Sequence, residues 1–339
     1  MFMQTIPIFP EQTEYMVTGQ PRKKAKKPLY QLRELDVAIL KYVREYYLLT
    51  SWQLVNLHYS PGSLTRAQTK LQILSGNKEE VSSVSYLRRR GLYPLTFGNT
   101  IQIYYLGTPG INYFKELGLP MTTRHTRLDK IQELSYPPLI HALNVNDVLI
   151  AGRNLSKTAP DIRLDSWLHD YDLQTTPAHV ELERRMSNGG ITQERVKIVP
   201  DGMMDFRLKL ANADKERRRI ILPEIDRGTE TNIEEFKRKI RAYVYYSYPG
   251  GAFEEMFGKA NKRVVWIVTK GGENRMNTIR KWCEDELMEQ ELEHEFNLFR
   301  FVTVDQVKRI DEKTGNVKLS EELAINPYEL FLTQRAYKP

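Results

Sequence analysis

Asp201, Glu224 and Asp226 are the residues of this 339-residue chain whose types and spacing best suit chemistry. Glu224 and Asp226 stand two apart in Ile220-Ile-Leu-Pro-Glu-Ile-Asp226, so on an extended strand they project from one face. Asp201 lies in Ile198-Val-Pro-Asp-Gly-Met-Met-Asp205 and meets Glu224 if the two segments pair as a hairpin through Ala211-Asn-Ala-Asp214. Clustered carboxylates raise one another's pKa, so such a group holds a cation or a proton. Two convergent carboxylates and a main-chain carbonyl form an oxygen-rich Mg2+ site, in which the metal generates hydroxide and stabilises the charge of phosphoryl transfer. Mg2+ on Asp201 and Glu224 is therefore the expected cofactor. A second reading stays open, in which Glu224, Asp226 and Arg227 form an ion-pair network, with Arg227 and Arg238 neutralising the acids and no metal bound.

Such residues need a sheet to hold them. Strands are predicted at 162–168, 196–199, 202–208, 219–224 and 263–269, and helices at 138–151, 232–246 and 277–286. Strands and helices mixed around a central sheet make an α/β domain over 135–310. The stretch from 169 to 190 reads as polar, 285–296 as an acidic helix and 311–339 as a polar tail. On the 232–246 helix the packing stripe is Ile233, Phe236, Ile240 and Tyr243/Val244, with Lys237 and Lys239 on opposite flanks. His141 lies on or beside the apolar face of the first helix and reads as a packing residue. No second histidine at ligand spacing supports zinc, and Cys283 stands alone, which also rules out an internal disulfide framework. Lys270-Gly-Gly272 lacks a phosphate-loop pattern, and no serine has a readable His/Asp partner.

Charge divides the chain. Residues 1–130 hold 18 Lys+Arg against 9 Asp+Glu, whereas the remainder is nearly balanced within an overall net charge of +7. A polyanion-binding front half follows. Pro21-Arg-Lys-Lys-Ala-Lys-Lys-Pro28 reads as part of a disordered basic arm, 1–28, suited to neutralising phosphates. Leu35, Ile39, Tyr42, Val43 and Tyr46 recur at helical spacing; Thr50-Ser51 caps a second helix and Ser63 a third, to about Leu74. The third helix turns Thr65, Arg66, Gln68, Thr69 and Lys70 away from its apolar side, and these types reach phosphates and base edges in a major groove. Two strand-like runs, joined by Gly98-Asn99, place Arg88, Arg89 and Arg90 where a wing contacts the DNA backbone. The layout is a winged helix-turn-helix over 29–118, followed by a linker, 119–134. No apolar run is long enough to span a membrane and no secretory segment is recognisable, so a cytoplasmic location is expected.

The blocks Leu35-Asp-Val-Ala-Ile-Leu40, His141-Ala-Leu-Asn144, Pro200-Asp-Gly202, Glu224-Ile-Asp-Arg-Gly-Thr-Glu230 and Lys239-Ile-Arg-Ala-Tyr243 resemble the replication-relaxation family of plasmids and other mobile elements. Asp201 with Glu224-Ile-Asp226 is similar to the Pro-Asp…(Asp/Glu)-x-Lys nuclease signature, with Asp226 standing where that signature has lysine. The resemblance implies a winged helix fused to a restriction-endonuclease-like α/β domain, acting in DNA relaxation and plasmid replication. It also implies that Lys239 supplies the missing cation, in a Lys-x-x-x-Tyr spacing. The expected function is DNA binding in replication or DNA relaxation for a plasmid, phage or other mobile element, with metal-dependent nicking or nuclease action by Asp201, Glu224, Asp226 and Lys239 as the first hypothesis for its chemistry. The alternative is a non-catalytic DNA-binding replication or transcription factor with a degenerate nuclease fold. Double-stranded DNA is the expected partner; other replication or mobile-element proteins and a homodimer are compatible with the sequence.

Overall fold

The structure, a computed structural model, describes residues 30–60, 62–76, 84–92, 101–126, 128–185, 190–209, 216–306, 309–311 and 316–318. The basic arm, the turns expected at 98–99 and 211–214, and most of the 311–339 tail lie outside the described residues.

α1 (Glu34–Tyr46) buries Ile39, Leu40, Val43 and Tyr46 on one side, and Asp36 accepts the Arg33 N–H at 3.0 Å to close its first turn. After β1 (Leu48–Thr50), Thr50 and Gln53 cap α2 (Ser51–His58) reciprocally, each side chain accepting the other's N–H. α3 (Leu64–Leu74) buries Ala67, Leu71 and Leu74, although Ser63 makes no side-chain cap to it. β2 (Leu87–Gly91) and β3 (Gln102–Leu106) join β1 in an antiparallel sheet of order β1-β3-β2, and α4 (Thr108–Glu116) follows with Pro109 in its first turn. Residues 119–134, expected as a linker, carry α5 (Thr123–Thr126) and α6 (Leu128–Glu133). They are fastened to α1, because Arg44 donates to Pro120 O at 2.8 Å and His125 Nε2 lies 2.9 Å from Arg44 O.

α7 (Tyr136–Thr158) is the hinge pin of the architecture and runs past the expected 138–151. Its polar face enters the front unit: the Gln53 amide donates to Leu143 O at 2.9 Å and Asp147 Oδ1 at 2.8 Å, and the Asn146 amide to Leu48 O at 2.6 Å. Its other face covers a five-stranded sheet. Gly152 lets α7 lie close on β7 there, since a Cβ would overlap Met204 Sδ and push that side chain aside.

The sheet takes β4 (Ile162–His169); α8 (Asp170–Leu173) and a separate hairpin, β5 (Ala178–Arg185) with β6 (Ile191–Ile198), come next in the chain. Then follow β7 (Gly202–Leu208), β8 (Arg217–Asp226), α9 (Ile233–Tyr246), α10 (Ala252–Phe257), β9 (Asn261–Val268), α11 (Gly272–Glu289) and β10 (Phe299–Thr303). β11 (Arg309–Asp311) and β12 (Asn316–Lys318) form a small separate pair. Strand order is β10-β9-β8-β7-β4, antiparallel across β4, β7 and β8 and parallel across β8, β9 and β10. Alternation gives each face its own core: Met204, Phe206, Ile221, Ile225, Val265 and Ile267 meet α7, while Ile220, Leu222, Val264 and Trp266 meet α9 and α11. The acidic helix expected at 285–296 is instead the end of α11, a break at Glu291 (φ +57°) and a 3-10 turn, Glu293–Leu298. The molecule is thus mixed α and β, and among the described residues no helix is long and apolar enough to cross a membrane.

A carboxylate and lysine site beside an open cleft

β7 and β8 pair with Met204 opposite Ile221, and the same register carried outward sets Asp201 opposite Glu224. The Asp201 N–H donates to Pro223 O at 3.1 Å, while its Oδ2 accepts the Ile225 N–H at 2.6 Å. Its Oδ1 lies 3.1 Å from His141 Nε2, so the first helix of the back half also reaches this point. Burial opposes ionisation of Asp201, but the His141 bond, Lys239 and the Ile225 N–H outweigh it and hold the carboxyl below its usual range. The same contact raises His141 above an ordinary histidine, against the burial that would lower it.

Glu224 is 2% exposed. Lys239 Nζ meets its Oε2 at 2.6 Å and the Tyr243 hydroxyl donates to Oε1. Lys239 also lies 5.1 Å from the centre of the Trp266 ring. Burial, aided by the negative charge of Asp201, pushes Glu224 up to about 7 against the pull of Lys239 and Tyr243. Lys239 moves up as well: burial lowers it, but the negative charges of Glu224, Asp201 and Glu230 outweigh the burial. Since Glu224 binds its proton more tightly folded than unfolded, its contribution to stability is complete below about pH 4.5 and is lost as pH rises through about 7. In metal-free protein, Glu224→Gln should remove about 3 kcal/mol of that decline, read as the difference between variant and wild-type urea unfolding at pH 5 and pH 8. Parallel pH profiles would contradict it.

Asp226 shares the face of Glu224, as the period-two reading requires, but is directed elsewhere. Arg275 of α11 grips it with two hydrogen bonds, Nε to Oδ2 at 2.9 Å and Nη2 to Oδ1 at 3.0 Å, and the Gly228 N–H adds a third at 3.2 Å. Arg275 also donates to Glu230 O at 2.8 Å, so Asp226 anchors the 227–232 loop that leads into α9. Neither expected neutralising arginine takes part. Arg227 donates to Pro137 O, and Arg238 pairs with Glu194 and Glu235. The lysines also separate: Lys237 pairs with Glu289 at 2.7 Å, away from Glu224. On α9, Phe236, Ile240 and Tyr243 are buried as expected, but Ile233 remains exposed.

In the front unit Thr65, Arg66 and Gln68 are exposed on α3, and Thr69 is half-buried. Lys70 turns inward: its ammonium sits 2.7 Å from Asp36 Oδ1 and 3.2 Å from the Tyr30 hydroxyl, joining α3 to α1 rather than facing a groove. Arg88 and Arg89 are exposed on β2, whereas Arg90 donates to Ile131 O and ties β2 to α6.

Asp201, Lys239 and Tyr243 open on a cleft of about 390 Å³ that is also lined by Asp170, Gln174, the end of β6 and Arg238. Sequence reasoning missed His141 as a member of this site; its place on an apolar helix face concealed that the helix end overhangs Asp201. It missed β5 too, although Ala178, Val180 and Leu182 alternate with polar residues and pack on α9. Among the described residues no three His, Cys, Asp or Glu side chains form a metal-sized cluster.

Fold and site together define a mixed α and β protein with a buried carboxylate–lysine pair at the mouth of a cleft. The chain matches the replication-relaxation family model over residues 40–262 and belongs to that family. Membership points to replication or DNA relaxation on plasmids and other mobile elements. No curated protein and no solved structure matches the chain.

Proposed function

We propose that this protein is a metal-dependent DNA nickase of a mobile element, with a winged-helix DNA-binding unit over 29–118 and a restriction-endonuclease-like domain over 135–310. The observation that carries the reading is the convergence of Asp201, Glu224 and Lys239 beside the cleft, from β7, β8 and α9. The helix–strand–helix–helix–strand–strand order of the front unit and its β1-β3-β2 sheet support the winged helix.

The donor set fits Mg2+, which binds through one or two carboxylates and keeps several waters. Asp201 and Glu224 would hold it. When bound, it supplies positive charge to phosphate oxygens and lowers the pKa of a water. Lys239, 42% exposed at the cleft, offsets the negative charge of both acids and presents a proton donor to an incoming phosphodiester. His141 and the Ile225 N–H keep Asp201 ionised and oriented.

One observation favours the non-catalytic reading: all four oxygens of Asp201 and Glu224 already engage protein groups. Supercoiled plasmid incubated with pure protein and Mg2+ or Mn2+ separates the two. Metal-dependent open circles support the nickase; intact plasmid with undiminished DNA binding supports a replication or transcription factor on a degenerate nuclease fold.

Arg66→Ala should weaken duplex binding about five- to tenfold and flatten its salt dependence by about one unit of slope. Lys70→Ala should instead lower the melting temperature through loss of the Asp36 pair, with little change in slope. Unchanged binding in Arg66→Ala, measured by fluorescence anisotropy, would remove α3 as the DNA reader.

A further inference from the structure

β8, β9 and β10 each carry an arginine within their first three residues on the α7 side of the sheet: Arg219, Arg263 and Arg300. Alternation fixes the side, because Ile221, Val265 and Val302, two residues on in each strand, belong to the core beneath α7. Arg219 is level with Asn261, Arg263 with Ile221, and Arg300 with Val265. Each arginine therefore stands two residues further along than the one before, making a diagonal row across three parallel strands. With strands about 4.8 Å apart and about 6.6 Å per two residues, neighbouring Cα atoms in the row are about 8 Å apart.

The row differs from the other arginines of the sheet. Arg218 and Arg207, on the opposite face, meet Asp205 and Asp165 at 2.6 and 2.7 Å. Among the described residues Arg263 and Arg300 meet no carboxylate. Arg263 donates to Lys262 O at 2.8 Å, Arg300 to Phe299 O at 2.6 Å, and Arg300 Nη2 is buried without a hydrogen-bond partner. Burial first, and then neighbouring arginines, lower the pKa of all three; Arg263 falls to about 10. Arg263 and Arg300, half-buried, mutually repelling and without an acid among the described residues, are stabilised by a bound anion, and planar guanidinium forks match phosphate oxygens.

We propose that Arg219, Arg263 and Arg300 form a second DNA contact, gripping backbone phosphates that flank the segment met by α3. The front unit packs on α7, on the same side of the sheet, so one duplex can serve both surfaces. The row is distinct from the carboxylate site. Arg219 lies five residues before Glu224, about 17 Å along β8, and faces the other way. The proposal rests on the DNA-binding reading but not on nicking.

Full-length wild type, Arg263→Gln/Arg300→Gln and Arg263→Lys/Arg300→Lys are compared by anisotropy on duplexes of about one and about three helical turns. The Gln pair should bind the long duplex about five- to tenfold more weakly with a salt slope smaller by about two, leaving the short duplex unaffected. The Lys pair should retain the slope, and both should melt no lower than wild type. Equal affinity and slope for the Gln pair on both duplexes would overturn the proposal. A weakened Gln pair beside an unaffected Arg66→Ala would keep the row and discard α3; no binding of either duplex by wild type would discard both.

Discussion

Asp201→Ala should reduce metal-dependent plasmid nicking by about a thousandfold or more, to the level of protein-free controls, because it removes the acid that opens on the cleft. Of the two candidate ligands, Asp201 is ionised well below neutral pH, whereas Glu224 has given up its proton only above about 7. Asp201 is thus the negative charge available to a divalent cation at any working pH, and Glu224 joins it as pH rises. Alanine also strands the Ile225 N–H and the His141 ring, a structural loss of about 1–2 kcal/mol. Asp201→Asn preserves the shape of the side chain and should be equally inactive, which separates lost chemistry from lost folding. Duplex affinity should stay at the wild-type value in both variants, since α3 and the arginine row lie elsewhere. Nicking at the wild-type rate by Asp201→Asn, or nicking that survives EDTA, would assign any cleavage to other residues.

The pairing of Asp201 with Glu224 was legible because two apolar strands flank a polar turn, and antiparallel register follows from where those strands start and stop. The shared face of Glu224 and Asp226 was legible for the same local reason. What those side chains meet was not. Arg275 reaches Asp226 across 49 residues and His141 reaches Asp201 across 60, distances over which no periodicity carries information. Lys70 makes the point on the front unit: a helical wheel shows that it leaves the apolar stripe of α3, but only tertiary packing shows Asp36 of α1 on that flank. Lys239 is the converse. The family resemblance selected it over Lys237, and the crossing of α9 over β8 brings it to Glu224. Local pattern therefore supplied the strands and helices, while ion-pair partners required the fold.

Arg275→Ala should destabilise the protein by about 3–5 kcal/mol, the usual consequence of leaving a buried carboxylate without its cation. Asp226 is 6% exposed and has both oxygens on Arg275, so water cannot replace the guanidinium without opening the C-terminal end of β8. The same arginine bonds Glu230 O and lies 4.9 Å from the centre of the Trp282 ring, so its loss also frees the loop before α9 and uncovers α11. Neutralising the stranded acid should recover part of the loss: Asp226→Asn/Arg275→Ala should be more stable than Arg275→Ala alone, with a coupling energy of about 1–3 kcal/mol in urea unfolding. Because the loop sets where α9 begins, Arg275→Ala should also lower nicking more than duplex affinity. A cost below about 1 kcal/mol would mean that water reaches Asp226 in the folded protein. In that event the aspartate in the lysine position would be available to the site after all, and its role would have to be sought in the cleft rather than in the anchoring of the loop.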